Sequence, residues 1–140
     1  VADRRAAVVA EAMTWLGTPY HHLAAVKGAG VDCAMLLVQV FKAVGELDPA
    51  FDPRPYSPQW FLHRSEEKFV NFLLPLARRV AAPSLGDVAM FRFGRTAAHG
   101  AILVGENLVI HAYRPSRRVE ICEISSLAER LDSYWSVLAA

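Results

Sequence analysis

Apolar residues recur at helical spacing in two places near the start of the chain, and the pattern turns to alternation in its second half. Ala6, Val9, Met13 and Leu16 predict one face of a first helix, which Gly17 and Pro19 end. Leu36, Leu37, Val40 and Val44 follow Cys33 at i+3, i+4, i+7 and i+11, while Met35, Val38 and Phe41 make the other side apolar as well. A helix greasy all round belongs in the interior. Asp32 stands just before it, where a short carboxylate accepts from the free amides of the first turn.

Between residues 45 and 58, Gly45 and prolines at 49, 53, 55 and 58 rule out regular structure. Ser57-Pro58 reads as a helix start, continued by Phe69, Phe72, Leu73 and Leu76 and ended or kinked by Pro75. Residues 45–82 thus form a Pro-rich and helical insert within one domain spanning 1–140. From Pro83 the period becomes extended. Leu85-Gly86-Asp87 predicts a turn, and strands are expected at Val88–Phe93, His99–Val104, Leu108–Tyr113, Arg118–Ile124 and Ser133–Leu138, with a short helix or turn at Ser125–Leu131. Helices first and an antiparallel meander afterwards make the class α+β.

Composition changes this picture little. The chain has 140 residues, 54% hydrophobic and 21% charged, which suits one ordinary domain. A net charge of +1 is too small to argue for nucleic acid. No apolar run is long enough for a membrane span, and no basic-then-apolar leader opens the sequence. The two cysteines have no zinc-ligand spacing but leave room for a single Cys33–Cys122 disulfide. Neither a metal nor a cofactor is expected.

The candidate chemistry starts at Cys33. In the first turn of a helix, the dipole and unpaired amides are expected to favour the thiolate and to hold an oxyanion. Tyr20 and the pair His21-His22 lie in the turn-rich loop that leads to it, the histidines as candidates for substrate contact. His99 and His111 flank the hairpin turn symmetrically about residue 105, so an odd loop would set them directly opposite on one face. One ring can then orient the other as a general base; the plainer alternative is two satisfied core histidines. Cys33, His99 and His111 together fit a cysteine-nucleophile triad.

Trp15-Leu16-Gly17-Thr18-Pro19-Tyr20, Gly30-Val31-Asp32-Cys33, Gly86-Asp87-Val88, His99-Gly100-Ala101-Ile102 and Ile110-His111-Ala112-Tyr113 run in an order that resembles the NlpC family of papain-like bacterial cell-wall cysteine peptidases. The resemblance implies a papain-like α+β core, with the nucleophile-bearing helix packed on a small antiparallel sheet. It implies hydrolysis of γ-D-glutamyl–diaminopimelate or related bonds in peptidoglycan stem peptides. Cys33 would be the nucleophile, His99 the base, His111 the orienting residue, and Tyr20 and Asp32 substrate-binding residues. Ala34 departs from the Asp-Cys-Ser of many cellular members, whose serine helps to hold the amine of a trimmed stem peptide. The stretch from His22 to Cys33 and the insert with Tyr56-Ser57-Pro58 look closer to the branch encoded by phages and prophages. That branch implies phage tail-tip proteins as partners, and a place either in the cytoplasm until tail assembly or at the cell wall. Two other readings stay open: an acyltransferase or amidase of the same fold, and a non-catalytic tail-tip protein.

Overall fold

The computed structural model describes residues 2–55, 76–93 and 96–138. Helix α1 (Ala2–Met13) buries Val8 and Ala12, with Trp15 in the turn that follows, while Met13 and Leu16 stay exposed. The expected stripe of Ala6, Val9, Met13 and Leu16 is therefore corrected by about one residue. Val8, Ala12 and Trp15 have the same helical spacing, and the indole is the larger surface to bury. Its Nε1–H donates to Glu11 at 3.1 Å.

Two short strands, β1 (Ala25–Val26) and β2 (Gly30–Val31), pair as a ribbon ahead of α2 (Cys33–Ala43). Residues 33–38, Val40 and Phe41 of α2 are all buried, as an all-round apolar helix requires. After it, residues 45–55 hold neither helix nor strand. The helix expected from Ser57-Pro58 through Leu73 lies outside the described residues; Leu76 sits in a turn.

The remaining strands are β3 (Arg78–Val80), β4 (Val88–Phe93), β5 (Thr96–Gly105), β6 (Leu108–Tyr113), β7 (Arg118–Glu123) and β8 (Leu131–Ser136). They form one antiparallel sheet in the order β3-β8-β4-β5-β6-β7. One face, carrying Val88, Met90, Ile102, Ile110, Ala112 and Val119, shares a core with α1 and α2. The alternate positions Ala89, Phe91, Ala101, Leu103 and Val109 form a second core, covered in part by Ile124 and Leu127 of a 3-10 segment. The class is α+β, with the cysteine-bearing helix against an antiparallel sheet.

Two sequence motifs fasten these layers. Asp87 is 2% exposed, takes Arg5 of α1 at 2.8 Å, and accepts from Ser84 N–H. Its own backbone and that of Gly86 bond Leu103, so the Gly-Asp pair ties α1 to the β4–β5 pair. The loop at 17–20 fastens another edge. Gly17 N–H donates to Val119, Val119 N–H to Thr18 and Tyr20 N–H to Arg117, while Val31 N–H donates to Pro19. That loop therefore bridges β7 to β2, and it delivers Tyr20 to the head of α2.

Candidate active site

Asp32 is the N-cap of α2: its Oδ1 accepts from Met35 N–H at 2.8 Å. Its Oδ2 accepts from Leu23 N–H at 2.8 Å, in a loop where Leu23 has φ +65°, and His22 Nδ1 lies 3.8 Å away. At 1% exposure the carboxylate pins the 21–24 loop onto the helix start. The carboxylate therefore has a scaffolding role in this structure. Gly30 belongs to the same arrangement. A Cβ there would lie 2.9 Å from His21 Cβ and 3.2 Å from Ala24 Cβ, so only glycine lets the loop close this tightly. His21 is exposed and His22 half-buried.

Cys33 begins α2 at 7% exposure. The Tyr20 hydroxyl and the N–H groups of Ala34 and Cys33 at the helix start act to lower its thiol pKa. Those donors favour the thiolate, yet burial outweighs them and the Asp32 carboxylate adds to it, so the thiol is pushed well up. The thiolate expected from the helix start is corrected on this account. A helix end is worth under a unit or two at a solvated site, and desolvation of a buried charge is worth more. Tyr20 is likewise pushed up, first by burial and then by its neighbours Cys33 and Asp32, with Arg114 acting against them. Cys33 and Cys122 are both free thiols, so the disulfide left open by the sequence is absent.

His99 and His111 are brought together: His99 Nε2 lies 2.8 Å from His111 Nδ1, with ring centroids 5.0 Å apart. They are not directly opposite. The ladder pairs Ile102 with Ile110 and Leu103 with Val109, then shifts before Gly105 pairs with Leu108. Val104 is the extra residue of that bulge, and Asn107 takes φ +58° in the loop. Continued along the strands, this register sets Ala101 opposite His111 and makes the two imidazoles diagonal neighbours. Diagonal positions are within reach of ring side chains.

The histidines sit in an aromatic box. Phe91 and Phe93 lie 6.1 Å and 5.5 Å from the His99 ring, and Tyr113 stacks on His111 at 4.7 Å and 11°. Burial drives His99 well below its ordinary value, with the His111 charge adding to it. His111 falls to about 4 by burial, against the Glu120 carboxylate. Glu120 was not singled out by sequence reasoning. It pairs with His111 across β6–β7, Oε2 3.9 Å from Nε2, and Cys122 Sγ is 3.5 Å from the same nitrogen. Counting outward from the turn after Tyr113 would have found it.

The structure thus joins Tyr20 to Cys33 and His99 to His111. No hydrogen bond between Cys33 and either ring is among the contacts of the described residues. Phe91 and Val109, whose face the two histidines share, alternate with the positions that meet α2. No cluster of potential metal ligands occurs among the described residues. What the arrangement offers chemically is a neutral thiol with oxyanion-type amides around it, and a neutral imidazole pair whose members share one hydrogen bond.

Comparison with known proteins bears on these residues as a set. The profile of the NlpC/P60 family matches residues 17–137. The NlpC/p60 domain of the peptidoglycan hydrolase SagA is 26% identical, with a TM-score of 0.64 over 94% of this chain and 97% of that one. An NlpC/P60 family protein from Bacillus cereus is 22% identical, TM-score 0.68, over 96% of this chain and 40% of that one. The peptidoglycan hydrolase RipB of Mycobacterium tuberculosis is 16% identical, TM-score 0.64, over 99% of this chain and 67% of that one. The chain therefore spans less than half of the Bacillus cereus structure. No curated protein matches it.

Proposed function

The chain belongs to the NlpC/P60 family, a family of cell-wall cysteine peptidases, and from that premise we propose that it hydrolyses γ-D-glutamyl–diaminopimelate or a related bond in peptidoglycan stem peptides. The observation that carries the residue assignment is the 2.8 Å bond between His99 and His111, within a family match that includes Cys33. Cys33 Sγ attacks the scissile carbonyl while its proton passes to His99. The tetrahedral oxyanion is met by amides at the head of α2, where preorganised N–H donors cost no reorganisation. His99 then protonates the leaving amine, the C–N bond breaks, and water hydrolyses the thioester with His99 again as base. His111 holds the ring of His99 throughout. Attack requires Sγ and the His99 ring to lie within hydrogen-bonding distance in the Michaelis complex, the geometry general-base catalysis demands.

Tyr20, at the sulfur, lines the acyl side of the cleft in this reading. The loop that Asp32 fastens supplies the neighbouring wall. Ala34 leaves the amine of a trimmed peptide one acceptor short, a loss of roughly 1.5–3 kcal/mol, so intact wall is the favoured substrate. The resemblance of the 22–33 stretch and the insert to phage-encoded members supports a tail-associated protein that opens the wall locally.

The test is mass spectrometry of products from purified sacculi and from free tripeptide, with Cys33→Ala as control. Cleavage of sacculi at a rate similar to or above that of tripeptide, abolished in Cys33→Ala, is the expected outcome. Efficient cleavage of tripeptide with sacculi left intact would refute the wall-opening reading, and turnover surviving in Cys33→Ala would refute the nucleophile.

A further inference from the structure

The histidine pair does not end at His111. Its Nδ1 faces His99, and its Nε2 faces two groups on β7: Cys122 Sγ at 3.5 Å and Glu120 Oε2 at 3.9 Å. A neutral imidazole has one N–H and one lone pair, so whatever occupies one nitrogen decides what the other can do. A carboxylate only accepts. Glu120 is directly paired with His111 in the ladder and its side chain is 27% exposed, so solvent screens it in part. The other titratable groups about His111 are His99 from β5, Cys122 from β7 and Tyr113 on its own strand. The Cys122 thiol is pushed up by burial and stays neutral, so Glu120 is the one fixed charge of this set.

We propose that Glu120 is a positioning residue that sets the tautomer of the whole pair. Facing Glu120 and Cys122, His111 carries its proton on Nε2. Its Nδ1 is then the acceptor, and His99 must donate from Nε2. That leaves the lone pair of His99 on Nδ1, and Nδ1 becomes the nitrogen that takes a proton. With the opposite tautomer on His111, Nδ1–H would point at His99 Nε2, and the base lone pair would be consumed inside the pair. The orientation of one carboxylate on a neighbouring strand thereby decides whether the base has a free nitrogen. Its catalytic consequence rests on the proposed peptidase reading; the tautomer does not.

The two are tested separately. Imidazole 15N NMR of the full chain reads the tautomers directly. Among the signals of the five histidines, those of His99 and His111 are expected to show one protonated-type nitrogen each above pH 6, Nε2 in both rings. Protonation of His111 on Nδ1 would overturn the inference, whatever the activity. Kinetics supply the second arm, with Glu120→Gln and Glu120→Ala compared against wild type on sacculi across pH 4–8. Losing the carboxylate makes the pair harder to protonate, so the acidic limb of kcat/KM moves down by about half a unit to one unit. The value of kcat falls several-fold with KM little changed, because orientation and not binding is lost. Glu120→Gln, whose carbonyl still accepts, recovers part of kcat but not the limb. An unmoved limb and unchanged kcat in Glu120→Ala would refute the positioning role. Turnover that survives Cys33→Ala would instead remove the peptidase reading, while the nitrogen spectra still decide the tautomer.

Discussion

Asp32→Asn separates the two things Asp32 does: it fastens backbone, and it places a negative charge beside Cys33. The carboxylate accepts from Met35 N–H and Leu23 N–H through different oxygens. Asparagine caps helices as well as aspartate does, but it has only one acceptor oxygen. One of the two N–H groups is left without its partner, at a cost of about 1–3 kcal/mol in stability. The charge has the opposite effect on the thiol, since Asp32 is among the causes that push Cys33 up. Its removal lowers the Cys33 pKa by about one unit, a modest shift for a neighbouring charge. One unit is tenfold in thiolate fraction. The weaker basicity takes back about threefold through lower nucleophilicity, leaving a net gain of about threefold in reaction with a disulfide. The assay is the rate of reaction with 4,4′-dithiodipyridine from pH 7 to 10, in a Cys122→Ser background so that only Cys33 reports. Reaction in the closed site climbs tenfold per pH unit across this range. Reaction through local opening levels off above about pH 8.5, where an ordinary thiol ionises. A variant that is less stable, about threefold faster and still climbing is the expected result. An unchanged or slower rate, or a plateau near pH 8.5, would refute the electrostatic account of this thiol.

Stability should fall in acid through the histidine pair. His111 is depressed to about 4, so its contribution is whole above about pH 6.5 and is lost as pH falls through 4, worth about 3 kcal/mol. Urea denaturation of wild type and His111→Asn at pH 7 and pH 4.5 checks this, with a smaller pH-dependence expected in the variant; equal dependence would contradict it. Gly30→Ala forces a methyl to within 2.9 Å of His21 Cβ, and about 1–3 kcal/mol of destabilisation is expected by denaturation. A neutral result would mean the 21–30 loop has room to give. Arg5→Ala leaves the 2%-exposed Asp87 with Ser84 N–H alone, and a loss of about 3 kcal/mol is expected. A loss below 1 kcal/mol would show that water replaces the guanidinium.

The strands were the most legible part of the fold, because alternation survives burial. Val88–Phe93 and Leu108–Tyr113 coincide with the observed bounds of β4 and β6, and α2 followed from its apolar run. Two-residue strands at Ala25–Val26 and Gly30–Val31 carry no period to read, and β3 begins with two exposed arginines. The stripe on α1 was misread because two sets of apolar positions fit a helix there, and only the tertiary contacts of Trp15 choose between them. The two histidines were found on one face by counting, but the bulge at Val104 moved their register by a pair. The state of the thiol was the least legible property. The sequence displays a helix start; it does not display how completely Cys33 and Asp32 are withdrawn from water.

That withdrawal bears on how the site works. A cysteine–histidine pair rests as thiolate and imidazolium only when the thiol is the stronger acid of the two. Here burial and Asp32 raise Cys33, while burial and His111 lower His99. Each influence widens the gap in the same direction, toward a neutral thiol and a neutral imidazole. In the proposed reading, proton transfer therefore accompanies attack on the carbonyl and does not precede it. The N–H groups of Cys33 and Ala34 and the Tyr20 hydroxyl contribute most once charge develops, which is when preorganised donors lower a barrier. A sulfur held neutral until substrate arrives reacts slowly with small electrophiles. The burial that makes Cys33 look like a core cysteine is, on this argument, what ties its reactivity to a bound peptide.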